Sequence, residues 1–406
     1  MHLEPRFPLH VACLLPDHSW VRRHLSTSWQ QLATECSVFH YPWESWQSRS
    51  WPSTRDDAGR QFESWLRRKH GESPVHLLFC YVLDDFFTPE LANRIRRLNI
   101  PMVNYQVDMP HQWYRVLRSA PYFDLICCSH LEYMERLSCV APTLFVPMAA
   151  SPVPPRSCDV DPVADVVFVG SYSPERARVL HAVAEAVERV VVYGGGWQTV
   201  GTANSRRNWA GRIAKAWNDT KYYLWPRLQA EGVSGLTRTK YTAWRDGRRS
   251  RVPQPFSTKG LLTDDEFAVT IAGAKIALGI GQRYGQIGTK TQYGVGHVRN
   301  VLRDFEVPAC GVFYLAQRYP EQPAYFVEGR EIEAWSTVPE LITKLKHYLE
   351  NSDDRRRVAA AGRHRVLSSH TWEHRYAQIV TRLALPCLPC KSEPYALQTT
   401  TPLDSR

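Results

Sequence analysis

Residues 166–180 read VVFVGSYSPERARVL, and this stretch decides the architecture. Val166, Val167, Phe168 and Val169 are consecutive apolar residues, so the strand they form is covered on both faces; a strand with one wet face would alternate. A short polar turn follows Gly170. Pro174 then stands where its fixed φ and missing N–H suit the first position of a helix. A buried strand passing through a short turn into a helix opens a parallel βαβ unit. Such a joint leaves backbone N–H groups and the positive end of a helix at the carboxyl edge of the sheet, where phosphates bind, and Arg176 adds a cation. An ordinary ligand-free joint has the same pattern, so both readings stand at this point.

The alternation of strand and helix continues outward in both directions. Downstream lie the apolar runs ERVVVYGGG (188–196), AKIALGI (274–280) and PACGVFYL (308–315), and the amphipathic VPELITKLKHYLEN (338–351). Upstream lie PLHVACLL (8–15), VHLLFCYV (75–82), PMVNYQV (101–107), FDLICCS (123–129) and TLFVPM (143–148). Among these, Thr88 and Pro89 are placed to start a helix over 88–99. Between the two series, the prolines of SPVPPRSCDVDP (151–162) favour an extended linker. The expected plan is an α/β chain of two Rossmann-like, doubly wound domains facing a cleft. The expected boundaries are 1–150, a linker over 151–163, and 164–385 with an insert at 198–258; a tail rich in Pro, Ser and Thr occupies 386–406.

Composition excludes several other classes. With 44% hydrophobic and 22% charged residues over 406 positions, the chain is globular and long enough for two cores. No apolar run reaches the roughly 20 residues that span a bilayer. The first residues carry an early acid and proline and read as a strand, so the cytoplasm is the expected location. Cys13, Cys80, Cys127 and Cys128 sit in apolar runs and read as small core hydrophobes. Only Cys387 and Cys390, in CLPC, have the spacing of a metal or redox pair, with no second pair to complete a zinc site.

Charge is concentrated in one place. Residues 202–260 hold thirteen Lys or Arg against three acids, which accounts for the whole net charge of +10. The same segment carries Trp209, Trp217, Tyr222, Tyr223, Trp225, Tyr241 and Trp244, with Trp209, Ile213 and Trp217 at helical spacing. Three roles fit: a flap over a bound nucleotide, a surface for an anionic or carrier-linked acceptor, or a helix lying on an anionic membrane. Nucleic acid is a fourth, less favoured partner.

The loop 281–315 is rich in glycine and ends in RDFEVPACG (303–311). Glu306, between Phe305 and Pro308, can accept hydrogen bonds from two adjacent hydroxyls, as a ribose offers. It can equally be a helix-end residue paired with Arg303.

Taken together, VVFVGSYSPERARVL, VVVYGGGW, DDEFAVTIAGAKIALGI, RDFEVPACGVF and the segment 327–375 resemble the CgeB-type glycosyltransferases of the GT-B superfamily. YVLDDFFTPELANRIRRLNIPMVNYQVDMP and FDLICCSHLEYMERL add a weaker likeness in the first half. The resemblance implies a GT-B fold and a nucleoside diphosphate sugar held mainly by the second domain. It implies that Glu306 holds the donor ribose, with Cys310 and Gly311 completing that strand entry. The GSYSPER turn is similar to the family's diphosphate loop, with Gly170 and Ser171 at its start. Arg176 stands at the family's lysine, and Ser171 replaces its arginine; Lys290 and Arg303 are the candidates for the second cation. Val298 occupies the place of a further glutamate found in retaining relatives, so sugar and stereochemistry are not inherited.

In the first half, NYQVDMPHQW (104–113) ends a strand at the cleft. His111 is the candidate general base and Asp108 the second, although Asp108 also suits a helix cap. The reading is a glycosyltransferase acting on a nucleoside diphosphate sugar and an unidentified acceptor, with no cofactor and no required metal. A non-hydrolysing sugar-nucleotide epimerase and a non-catalytic nucleotide-sugar-binding protein are the alternatives.

Overall fold

Six strands pair in parallel to form a first sheet in the order β2-β1-β3-β4-β5-β6. They are β1 (Phe7–Pro16), β2 (Ala33–Tyr41), β3 (Leu77–Cys80), β4 (Met102–Gln106), β5 (Leu125–Cys128) and β6 (Thr143–Phe145). A second parallel sheet has the order β12-β11-β10-β7-β8-β9. Its strands are β7 (Ala164–Val169), β8 (Val190–Tyr193), β9 (Ser257–Lys259), β10 (Ala274–Leu278), β11 (Phe313–Gln317) and β12 (Glu333–Trp335). The structure is a computed structural model and describes residues 7–42, 50–107, 109–152, 164–197, 213, 216–233, 255–281 and 300–386.

The expected apolar runs become the inner strands. Every residue of β3, β4, β5 and β11 is buried, as parallel strands covered on both faces require. Cys13, Cys80, Cys127 and Cys128 are buried among them. Three strands lie outside the runs read from the sequence. The side chains of β2 are mostly half-exposed at the edge of its sheet, while β9 and β12 have three residues each. The run at 308–315 divides: Pro308 and Ala309 end a helix, and the strand begins at Phe313.

Counted from its own first strand, the second sheet runs 3-2-1-4-5-6 and reverses direction between β7 and β10. At such a reversal the flanking helices leave to opposite faces and a crevice opens beyond the strand ends. The Pro174–Ala186 helix starts there, with Ser173 Oγ accepting from the backbone N–H of Arg176 at 3.2 Å and Pro174 in the first turn.

The chain returns to the first sheet at its end. The Trp372–Arg382 helix buries Trp372, Tyr376, Ile379 and Val380 in a core shared with β1, β3, β4 and β5. Tyr376 stacks on Trp29 at 3.9 Å between ring centroids. Its start is fixed by Arg375, a fully buried cation that donates from Nε to the Pro147 carbonyl at 3.0 Å and from Nη2 to the Met148 carbonyl at 3.3 Å. Arg375 Nη2 also meets His370 Nδ1 at 3.0 Å, and His370 Nε2 meets the Tyr325 carbonyl at 3.0 Å. Arginine can only donate, so His370 carries its proton on Nε2. Burial and the neighbouring Arg375 hold that ring well below the usual histidine range, and therefore neutral.

Candidate active site

A cavity of about 340 Å³ opens at the strand reversal. Its floor is the ends of β7 and β10 with Gly170 and Gly279, one wall is the start of the Arg303–Ala309 helix, and the opposite wall comes from the first domain through Val107, His130 and Met148. Both sheets therefore contribute.

Arg176 and Arg303 stand on this cavity and are held by backbone carbonyls. Arg176 donates from Nη1 to the Ser171 carbonyl at 2.9 Å and from Nε to the Ile280 carbonyl at 3.1 Å. Arg303 donates from Nε to the Val169 carbonyl at 2.7 Å, and its guanidinium lies 5.2 Å from the Phe267 ring centroid. Each arginine bonds a carbonyl beside Gly170, so two fixed cations flank the end of β7. That turn is tightly built: Gly194 has φ +141°, and a Cβ there would lie 2.2 Å from the Gly170 carbonyl oxygen. Only glycine fits.

Asn300 was not among the expected residues. It lines the cavity, is 5% exposed, and its Nδ2 has no hydrogen-bond partner among the described residues. A buried donor left unpaired costs about 1–3 kcal/mol, which a bound acceptor oxygen would recover. Asp304 is also buried here, accepting from the Tyr314 hydroxyl at 2.6 Å and from the Val301 N–H at 2.8 Å. Burial outweighs these bonds and pushes its carboxyl up to about 6.

Glu306 lies on the same helix but does not line the cavity. Its Oε1 is 2.9 Å from His24 Nε2, and its Oε2 is 3.7 Å from Arg303 Nη1. His24 Nδ1 receives the Trp372 indole N–H at 3.3 Å. An indole nitrogen can only donate, so the neutral His24 ring holds its proton on Nε2 and gives it to Glu306. Burial opposes charge on Glu306, but the His24 N–H, Arg303 and Arg23 outweigh it and hold the carboxyl below its usual range. The pairing with Arg303 read from the sequence is present; His24 is the stronger partner.

The remaining expected residues fall as follows. Gly170 and Ser171 line the cavity with Arg176. Cys310 is in the core behind it, its thiol pushed up to about 12 by burial. Gly311 turns the chain from helix to β11 at φ +73°. Lys290 and Asp108 lie outside the described residues, as do Val298, Cys387 and Cys390. His111 belongs to the short Met109–Gln112 helix, which begins two residues after the cavity-lining Val107; its side chain is not described.

His130 is a further first-domain residue at the cavity. The Ser129 hydroxyl donates to the Val107 carbonyl at 2.7 Å, and its oxygen lies 2.8 Å from His130 Nδ1. Its single proton is committed to Val107, so His130 Nδ1 must be the donor in the second contact. The neutral ring then keeps its lone pair on Nε2, the form a general base requires. Asp84 and Asp85 serve the fold instead. Asp84 accepts from the Ser119 hydroxyl at 2.6 Å, and Asp85 pairs with Arg115 at 3.0 Å.

Residues 216–233 of the basic insert pack on the first domain. Tyr222 is buried in its core, and Trp113 Nε1 donates to Glu231 Oε1 at 3.1 Å. None of these residues lines the cavity, so the described part of the insert is not a lid over it. Among the described residues, no three His, Cys, Asp or Glu gather as metal ligands, and no helix is long and apolar enough to cross a membrane.

Residues 240–381 match the family described as glycosyl transferase-like. The likeness is to that family over this stretch of the chain. The match spans β9 to β12, the Arg303–Ala309 helix and most of the returning terminal helix. No curated protein matches the chain in sequence. Among solved structures, sucrose-phosphate synthase from Thermosynechococcus elongatus superposes with a TM-score of 0.51 at 11% identity, over 92% of this chain and 98% of that one. HepE from Anabaena, solved in complex with UDP and glucose, gives 0.52 at 10% identity, over 92% of this chain and 99% of its own. These likenesses establish the fold that the chain shares with them, two Rossmann-like domains.

Proposed function

We propose that this chain is a glycosyltransferase that moves a glycosyl group from a nucleoside diphosphate sugar to an acceptor presented by the first domain. The observation that carries the reading is the pair of arginines, Arg176 and Arg303, flanking Gly170 at the strand reversal. The bond that breaks joins the anomeric carbon to the diphosphate oxygen, and the negative charge that develops there is met by cations already fixed on carbonyls. HepE, with the same fold, is solved with UDP and glucose, which fits a nucleotide sugar here.

Glu306 keeps the ribose role that its place in RDFEVPACG implies, with His24 orienting the carboxylate. The CgeB-type motif supports this assignment within the broader family. His130 Nε2 joins His111 and Asp108 as a candidate to receive the acceptor proton, and its tautomer is the one required.

Calorimetric titration of the full chain with UDP, GDP, ADP and dTDP tests the reading. At least one nucleoside diphosphate should bind and raise the melting temperature. Failure of all four to bind would overturn it.

A further inference from the structure

Residues 216–233 have one anchored face and one bare face. On the anchored face Tyr222 is buried in the first-domain core, and Arg227 and Glu231 form a 2.9 Å ion pair with side chains 11% and 5% exposed. On the bare face Trp217 is 69% exposed, Trp225 55% and Val233 69%, and Ile213 just before it is 57% exposed. A regular helix would rotate residues eight apart by about 80°. The π turn at Thr220–Leu224 takes up an extra residue and reduces that offset between Trp217 and Trp225. Lys221, also exposed, lies between them.

We propose that this face docks the protein on an anionic lipid surface. Two tryptophans and two aliphatic residues standing in water on an otherwise well-packed helix form a patch whose burial is favourable, and indole rings suit the boundary between headgroups and acyl chains. Charge selects the partner. The thirteen cations of 202–260 hold the entire net charge of the chain, and Glu231, one of only three acids there, is turned inward onto Arg227 and Trp113. The rest of the chain is balanced, so net attraction to an anionic surface comes from the segment that carries this helix. A nucleic acid would use the rings for stacking between cations, and Ile213 and Val233 have no part in that contact. The same helix rests on the first domain, so docking would bring the acceptor side of the cleft to the membrane. The inference does not depend on which nucleotide sugar is used.

The test is co-sedimentation of the full chain with phosphatidylcholine vesicles, with and without phosphatidylglycerol. Binding should appear with the anionic vesicles and fall as salt rises. The double variant Trp217→Ser/Trp225→Ser should bind about tenfold more weakly, and Lys221→Glu should weaken binding in the same direction. Circular dichroism and the nucleoside diphosphate melting shift confirm that the variants remain folded. Equal sedimentation of wild type and the double variant overturns the proposal. So does absence of vesicle binding, or displacement from vesicles by duplex DNA at equal charge concentration.

Discussion

His24 Nε2 gives its proton to Glu306 Oε1 at 2.9 Å, joining the turn after β1 of the first sheet to the helix that enters β11 of the second. The two residues belong to different domains, and the carboxylate assigned to the donor is already oriented from the acceptor side. Domain arrangement and the carboxylate proposed to hold the donor therefore share one hydrogen bond.

This bond should be measurable as coupling. In urea unfolding, His24→Ala and Glu306→Gln should each destabilise the chain. The double variant should lose about 1–3 kcal/mol less than the sum, because the second change has no bond left to break. Additive losses would show that the contact is energetically silent.

The arginines should separate by ligand. Arg176→Ala and Arg303→Ala should each weaken nucleoside diphosphate binding roughly tenfold or more, as expected for charge-assisted bonds to phosphate. Neither should change binding of the bare nucleoside. Titration with both ligands distinguishes a phosphate contact from a general loss of structure.

Asp304 should give stability an unusual pH slope. Its carboxyl, pushed up to about 6 by burial, is above its unfolded value near 4, so the folded chain favours the protonated form. The stability this contributes is complete below pH 4 and is lost as pH rises through 6, a change of up to ~3 kcal/mol. Asp304→Asn cannot ionise. Its melting temperature should therefore gain on wild type between pH 4 and pH 7, and a constant offset would contradict the burial argument.

Arg375→Met removes a buried cation that satisfies the carbonyls of Pro147 and Met148. Those carbonyls stay buried without donors, so the loss should be on the order of 3 kcal/mol, read by denaturant unfolding.

The sequence revealed the inner strands of both domains and missed only edge strands, β2 in the first sheet and β9 and β12 in the second. β7, β8, β10 and β11 stand in apolar runs because both faces of each are covered, and Pro174 marks the helix start. β2 escaped because the edge of a sheet leaves its side chains half wet, so the apolar signal fades. Arg176 was legible because it sits in the turn just after the strand end it serves, whereas Arg303 reaches the same end of β7 from 134 residues downstream. His24 was not, because nothing near it in sequence foretells Trp372 and Glu306, which reach it from the far end of the chain. His130 was within reach: it directly follows FDLICCS, and ligand contacts gather at the carboxyl ends of parallel strands. Asn300 depends on burial without a partner, which only three-dimensional packing creates.

The returning terminal helix also sets an order of events during synthesis. Trp372, Tyr376, Ile379 and Val380 fill the core between β1, β3, β4 and β5, so the first domain lacks part of its interior until the residues through Val380 have left the ribosome. The nascent first domain waits with Trp29 and Phe79 uncovered, a target for chaperones, while the second domain already has its own strands in hand. Loss of the last described helix would thus damage the opposite end of the sequence.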